Sequence, residues 1–179
     1  MRVCFVIAFS LLAAPGWACP AAPDHSNALA ALFNQVRAAK TEAEGQEISN
    51  QMWALWTQAP DEAAQELLDS GMRKRGVYDF LGAVGDFDRL VRYCPDYAEG
   101  YNQRAFVRFL RQEYELALAD LDQALRLSPT HVGALSGKAL TLMGLGRVDA
   151  GQSVLQDALQ LNPWLPERHL LRRPKEKEL

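Results

Sequence analysis

The chain has 179 residues, with 19 Lys and Arg against 22 Asp and Glu and a formal net charge of −3. That mild acidity excludes general nucleic-acid binding, which needs a basic face. An apolar content of 49% is enough for one domain with a real core, and abundant Ala, Leu, Arg, Glu and Gln favour helix almost throughout.

Residues 1–18 read as a secretory signal peptide. Arg2 precedes an uncharged apolar run from Val3 to Ala14, Pro15 breaks it, and Gly16 and Ala18 place small residues two apart. The run is short for a membrane span, and no later stretch reaches the ~20 apolar residues a crossing needs, so no membrane insertion is expected. A cut after Ala18 leaves Cys19 at the new N-terminus, where a lipid anchor is conceivable but poorly matched by Gly16 and Trp17. In an oxidising compartment Cys19 and Cys94 are free to pair, although a loose N-terminus offers no preformed geometry for the bond. Without a CxxC motif they predict neither a metal site nor a redox centre.

Residues 19–26 form a proline-rich lead expected to be disordered, with Ser26 as the N-cap of the helix that follows. Residues 27–60 predict a helical hairpin. Leu29, Leu32, Phe33 and Val36 recur at helical steps in its first arm, and Thr41–Glu44 is a capping box opening the second. Ile48, Met52, Trp53, Leu55 and Trp56 cluster on one side of that second arm. The two Trp rings are expected to plug the first interhelical groove. The hairpin is either a divergent repeat or an N-terminal cap.

From residue 61 onward the chain repeats itself every 34 residues. Pro95, Pro129 and Pro163 are evenly spaced, as are Ala83, Ala117 and Gly151, then Phe87, Leu121 and Leu155, then Gly71, Ala105 and Ala139. A period of 34 with small residues at fixed offsets and a closing Pro marks a helix–turn–helix repeat. The stretch 64–165 resembles the tetratricopeptide repeat (TPR). Tyr101 stands in that family's Trp place, Ala105 in the Gly place, Ala117 and Leu121 in the Ala and Phe places, and Pro129 closes the copy. Arg104 and Arg108 depart from the pattern, with Asp120 and Asp122 as candidate partners in structural ion pairs, which are worth ~0–1 kcal/mol where exposed. The resemblance implies an all-α, right-handed α-solenoid of about three helix pairs over residues 61–97, 98–131 and 132–165. Residues 166–179 then supply a short capping helix, whose Leu170 and Leu171 cover the open end, and a charged tail.

No catalytic constellation is present: there is no GxSxG, HExxH, P-loop or Rossmann fingerprint. Neither an enzyme nor a cofactor is predicted, and His25, His131 and His169 are given no role. By analogy with the family, the first helix of each pair lines a concave face. Leu68, Met72 and Arg75 are placed there, then Asn102, Phe106, Phe109 and Leu110, then Ser136, Leu140 and Met143. Of these, Asn102, Phe106, Phe109, Leu140 and Met143 are the candidate partner-binding residues: Phe106, Phe109, Leu140 and Met143 together make an apolar patch that needs an explanation, and Asn102 is expected to hold a peptide backbone through its amide. The competing reading has the hairpin or the terminal helix folded over them. The basic residues with which some chaperone-binding TPR proteins grip a C-terminal carboxylate are replaced by Leu, Met and Phe. The expectation is a secreted, periplasmic, non-catalytic adaptor that binds a protein or peptide partner. The alternative is an accessory subunit stably assembled with an envelope enzyme or secretion complex.

Overall fold

A computed structural model describes residues 18–172. The signal-peptide reading, apart from Ala18, and the charged tail from residue 173 lie outside the described residues. Eight α-helices follow in order: α1 (Ser26–Ala38), α2 (Glu42–Trp56), α3 (Glu62–Gly76), α4 (Phe80–Tyr93), α5 (Ala98–Leu110), α6 (Tyr114–Leu127), α7 (Val132–Gly144) and α8 (Val148–Leu161). A 3-10 turn at Pro166–Leu170 closes the described chain.

The helices α3/α4, α5/α6 and α7/α8 are antiparallel pairs stacked in sequence, an α-solenoid of the TPR type. The small residues of the period sit where a partner helix comes close. A Cβ on Gly71 would lie 2.5 Å from the Phe87 ring, and one on Gly151 only 2.8 Å from the Ala139 carbonyl oxygen. The turn inside each pair has one residue in the left-handed region, Tyr78 (φ 64°), Gln112 (φ 61°) and Gly146 (φ 74°), again at the 34-residue spacing. Only the third copy places glycine there, the residue that adopts this conformation freely.

Charge follows the same period. Arg104 makes a two-pronged contact with Asp120 (2.9 and 2.6 Å) and reaches Asp88 of the preceding pair at 2.7 Å. One period later, Lys138 meets Asp122 at 2.7 Å. Arg108 also binds Asp120, at 2.7 Å, just as Lys74 binds Asp86. Asp120 is thus the expected partner of both arginines, and it is buried, whereas Asp122 pairs with Lys138 and not with the arginines. Both arginines lie on the side of α5 facing α6, whereas Asp122 turns toward α7. Burial alone would lower the Arg104 pKa, but Asp120 and Asp88 outweigh it and raise it.

Several N-terminal expectations need correction. Ser26 does not cap α1: His25 holds that place without a side-chain bond, and the Ser26 amide instead donates to Asp24 Oδ1 at 2.9 Å. The lead is tied down, because Cys19 and Cys94 form a disulfide. That bond uses the sulfur a lipid anchor would need. Thr41 caps α2 as expected, but Glu44 reaches one residue past the cap rather than back to the Thr41 amide. Thr41 Oγ1 accepts from the Glu44 amide at 3.2 Å, and Glu44 Oε2 accepts from the Lys40 amide at 2.8 Å.

The hairpin α1/α2 does not continue the stack. Its apolar stripe (Leu32, Phe33, Val36, Ile48, Met52, Trp56) shares one core with Val132, Ala158 and Leu165 from the far end of the array. Trp56 is buried between the hairpin's two helices, 6.5 Å from the Phe33 ring, in line with the expected groove packing. In addition, both Trp rings pack on His131, Trp56 stacked at 4.2 Å and Trp53 edge-on at 6.4 Å. Gly45 leaves room for Trp164, whose ring is 2.2 Å from where a Cβ would stand. The Asn162 amide donates to Ser49 Oγ at 2.9 Å across a sequence separation of 113. The terminal cover also differs from expectation. Trp164 and Leu165 provide it, while Leu170 is exposed and the turn holding it is 3-10 rather than α.

Candidate functional site

The period that builds the fold also aligns residues on the first helices. Asn102 and Ser136 are equivalent, as are Phe106 and Leu140, then Phe109 and Met143. Between α5 and α7 these positions, Met143 excepted, border a mostly apolar cavity of about 230 Å³ lined by Asn102, Ala105, Phe106 and Phe109 on one side. Ser136, Gly137, Leu140 and Thr141 form the other side, with Leu121 at the floor. Trp53 from the hairpin and Leu165, Pro166 and Glu167 from the segment after α8 complete the wall. The hairpin and the terminal segment thus border the groove without covering it, and Phe106 remains 46% exposed.

Four of the five predicted residues meet here, and Met143 does not. Its side chain lies against the bare Cα of Gly151, between α7 and α8, with Cγ 2.8 Å from where a Cβ would be. The smallest residue of that column opens a slot, and the flexible Met fills it. Leu68, placed on the concave face by helical counting, is instead fully buried against Tyr97 and Val107. Phe109 is half-buried and tilts on Tyr114 at 5.6 Å, so it serves the α5/α6 contact as well as the cavity.

Beneath the groove lies a polar network that the sequence reading missed. Glu99, 1% exposed, accepts hydrogen bonds from Asn102 Nδ2 at 3.0 Å and from Gln103 Nε2 at 2.5 Å. His131 is fully buried: Nδ1 accepts from the Ala134 amide at 3.2 Å, and Nε2 lies 2.8 Å from Glu99 Oε2. An Nδ1 that accepts leaves the hydrogen on Nε2, so the ring donates to Glu99. Arg75 donates to Gln103 Oε1 and lies 4.8 Å over the Phe106 ring. Burial lowers the Arg75 pKa, opposed by the attraction of Glu99. The Asn102 amide nitrogen is therefore engaged inside the protein rather than presented to a peptide.

A usable signal for this network was the column Tyr97, His131, Leu165, bulky residues one period apart. All three seat the terminal elements: Tyr97 donates to the Trp56 carbonyl at 2.7 Å, His131 stacks on the Trp56 ring, and Leu165 joins the hairpin core. Burial, with the nearby Glu99 and Asp69 carboxylates, pushes the Tyr97 hydroxyl far above its ordinary value, so it stays a donor.

Two polar atoms in the groove wall are buried with no hydrogen-bond partner among the described residues, Ser136 Oγ and Glu167 Oε2. Among the described residues no lysine or arginine lines the cavity. Among the described residues no group of three or more His, Cys, Asp or Glu is placed to hold a metal ion. No described helix is long and apolar enough to cross a membrane.

Fold and groove together define a helical-repeat protein of the TPR type with an apolar concave cavity. No family model matches the chain. It is 27% identical over 139 residues to a TPR repeat-containing protein of Rhizobium etli, covering 74% of this chain and 61% of that one. It is 38% identical over 76 residues to a tetratricopeptide repeat protein 36 homolog of Nematostella vectensis, covering 42% of this chain and 41% of the relative. The matches thus span less than two thirds of these relatives' own lengths. Among solved structures it resembles the second TPR domain of human RPAP3 in complex with the HSP70 peptide SGPTIEEVD. The TM-score is 0.57 at 20% identity, over 63% of this chain and 97% of that one. A likeness at that identity is one of fold.

Proposed function

We propose that the chain is a non-catalytic adaptor of the cell envelope that docks a segment of a partner protein in the groove between α5 and α7. The observation that carries this reading is the open apolar cavity headed by Phe106, a large ring left half in solvent at the mouth of a preformed concavity. A TPR neighbour that holds a peptide supports the reading by analogy of fold. The peptide named there ends in three carboxylate residues around one Val. Among the described residues this groove has no lysine or arginine on its lining, which favours an apolar anchor over an acidic tail. The signal-like first 18 residues and the Cys19–Cys94 bridge support an oxidising, extracytoplasmic compartment.

Phe106→Asp tests the docking. The ring is exposed enough that helical circular dichroism should be unchanged, while capture of the partner from an envelope extract should fall by at least tenfold, about 1.4 kcal/mol. Undiminished capture by Phe106→Asp would remove the groove from the account. Mass spectrometry of the mature chain tests the compartment: an N-terminus at Cys19 is expected, and an intact Met1 would contradict export.

A further inference from the structure

We infer that the groove selects a segment in which an apolar side chain is next to a lysine or arginine, the apolar group filling the cavity beside Phe106 and Leu140 and the cation meeting Glu167. This rests on the docking reading above and adds the chemistry of the partner. The argument starts from what the groove leaves unpaired. Glu167 Oε2 is buried with no donor among the described residues, although Glu167 walls the cavity. A desolvated carboxylate oxygen is costly unless a donor or a cation reaches it. Among the described residues, Arg75 is spent on Gln103 and faces Glu99, and Arg168, next to Glu167 in sequence, bonds the Trp164 and Leu165 carbonyls and pairs with Glu42 of the hairpin at 3.0 Å.

Ser136 gives an independent observation on the opposite wall. The residue is 5% exposed, and its hydroxyl has no partner. Thr141, one turn later on α7, returns its hydroxyl to the Gly137 carbonyl at 2.7 Å, the usual way for a helix to satisfy such a group. Ser136 does not, which leaves its hydroxyl as an unused donor on a residue that lines the groove. One unpartnered hydroxyl and one unpartnered carboxylate oxygen on the lining of an apolar space of about 230 Å³ specify an apolar side chain flanked by a backbone acceptor and a cation. A charge-assisted bond to Glu167 would give the pairing its direction.

The test is a random heptapeptide display library selected on the full oxidised chain, on Glu167→Gln and on Phe106→Asp. The wild type should enrich peptides with Lys or Arg next to Phe, Leu or Met. By fluorescence polarisation, replacing that cation with Glu in a selected peptide should weaken binding about tenfold. Glu167→Gln should keep the apolar preference and shrink the Lys-over-Glu ratio to about twofold or less. Enrichment of neutral or acidic flanks by the wild type overturns the inference while leaving groove docking intact. So does a basic preference that survives in Glu167→Gln. The same peptides enriched on Phe106→Asp as on wild type, or none enriched on either, would overturn both the inference and the docking reading.

Discussion

At the scale of single residues, the small column of the repeat shows how packing and sequence adjust to each other. Gly71 faces the Phe87 ring so closely that any Cβ must displace it. In the next two pairs Ala105 and Ala139 take that place, and the larger ring is replaced by Leu121 and Leu155. Gly71→Ala should therefore destabilise by about 1–3 kcal/mol, even though Ala is the better helix former. Adding Phe87→Leu recreates the pairing of the other copies and should recover much of that loss. Urea unfolding of the two single variants and the double variant gives the coupling. Simple additivity would show that the contact is not the cause. The left-handed turn residues carry the opposite message. Tyr78 and Gln112 adopt a conformation natural to Gly146, so the backbone path is set by the pair of helices and the residue conforms to it.

At the scale of elements, helix pairs are joined by buried charge as well as by apolar stripes. Asp86 is 1% exposed and binds Ser70 at 2.6 Å, Lys74 at 2.7 Å and Arg89. Burial by itself would raise its pKa, but the bonds from Lys74, Ser70 and Arg89 prevail and hold it below the ordinary value of 3.8. A carboxyl with a depressed folded-state pKa contributes stability that is complete above its unfolded pKa and is lost as pH falls through the folded one. The urea midpoint should hold steady from neutral pH down to about 5 and then drop toward about pH 2. Asp86→Asn should lower the neutral midpoint and flatten the acid slope; an unchanged slope would assign the acid sensitivity to other carboxylates. The sequence spacing placed Asp86 and Asp120 one period apart. That they are interior anchors was not evident, because two acids two residues apart on a helix look like solvated surface.

At the scale of the molecule, the decisive event is the return of the N-terminal hairpin to the far end of the solenoid. Trp56 on His131, Gly45 under Trp164 and Ser49 bonded to Asn162 close the chain on itself, and the bridge between Cys19 and Cys94 spans 75 residues. Replacing Cys19 and Cys94 together by Ser should cost about 2–4 kcal/mol. Hydrogen exchange should quicken in the lead and α1 and stay slow in α5–α8. Uniform loosening of every helix would instead make the bridge a constraint on the whole array. The groove depends on this closure, since Trp53 and Leu165–Glu167 form part of its wall.

The repeat determined most of the architecture by itself. Its period, its small residues and its prolines place six helices, because stacking identical units leaves little freedom once one interface is defined. The same period brought Asn102, Phe106, Phe109 and Leu140 to one cavity. What fell outside the period was decided in three dimensions. Where the hairpin docks, why Met143 leaves the groove for the slot at Gly151, and how His131 and Glu99 come to be buried together all depend on contacts between segments far apart in the chain. No local pattern encodes those contacts: an amphipathic hairpin shows that it must bury one face, and only the shape and exposed core of the finished solenoid select the surface that receives it.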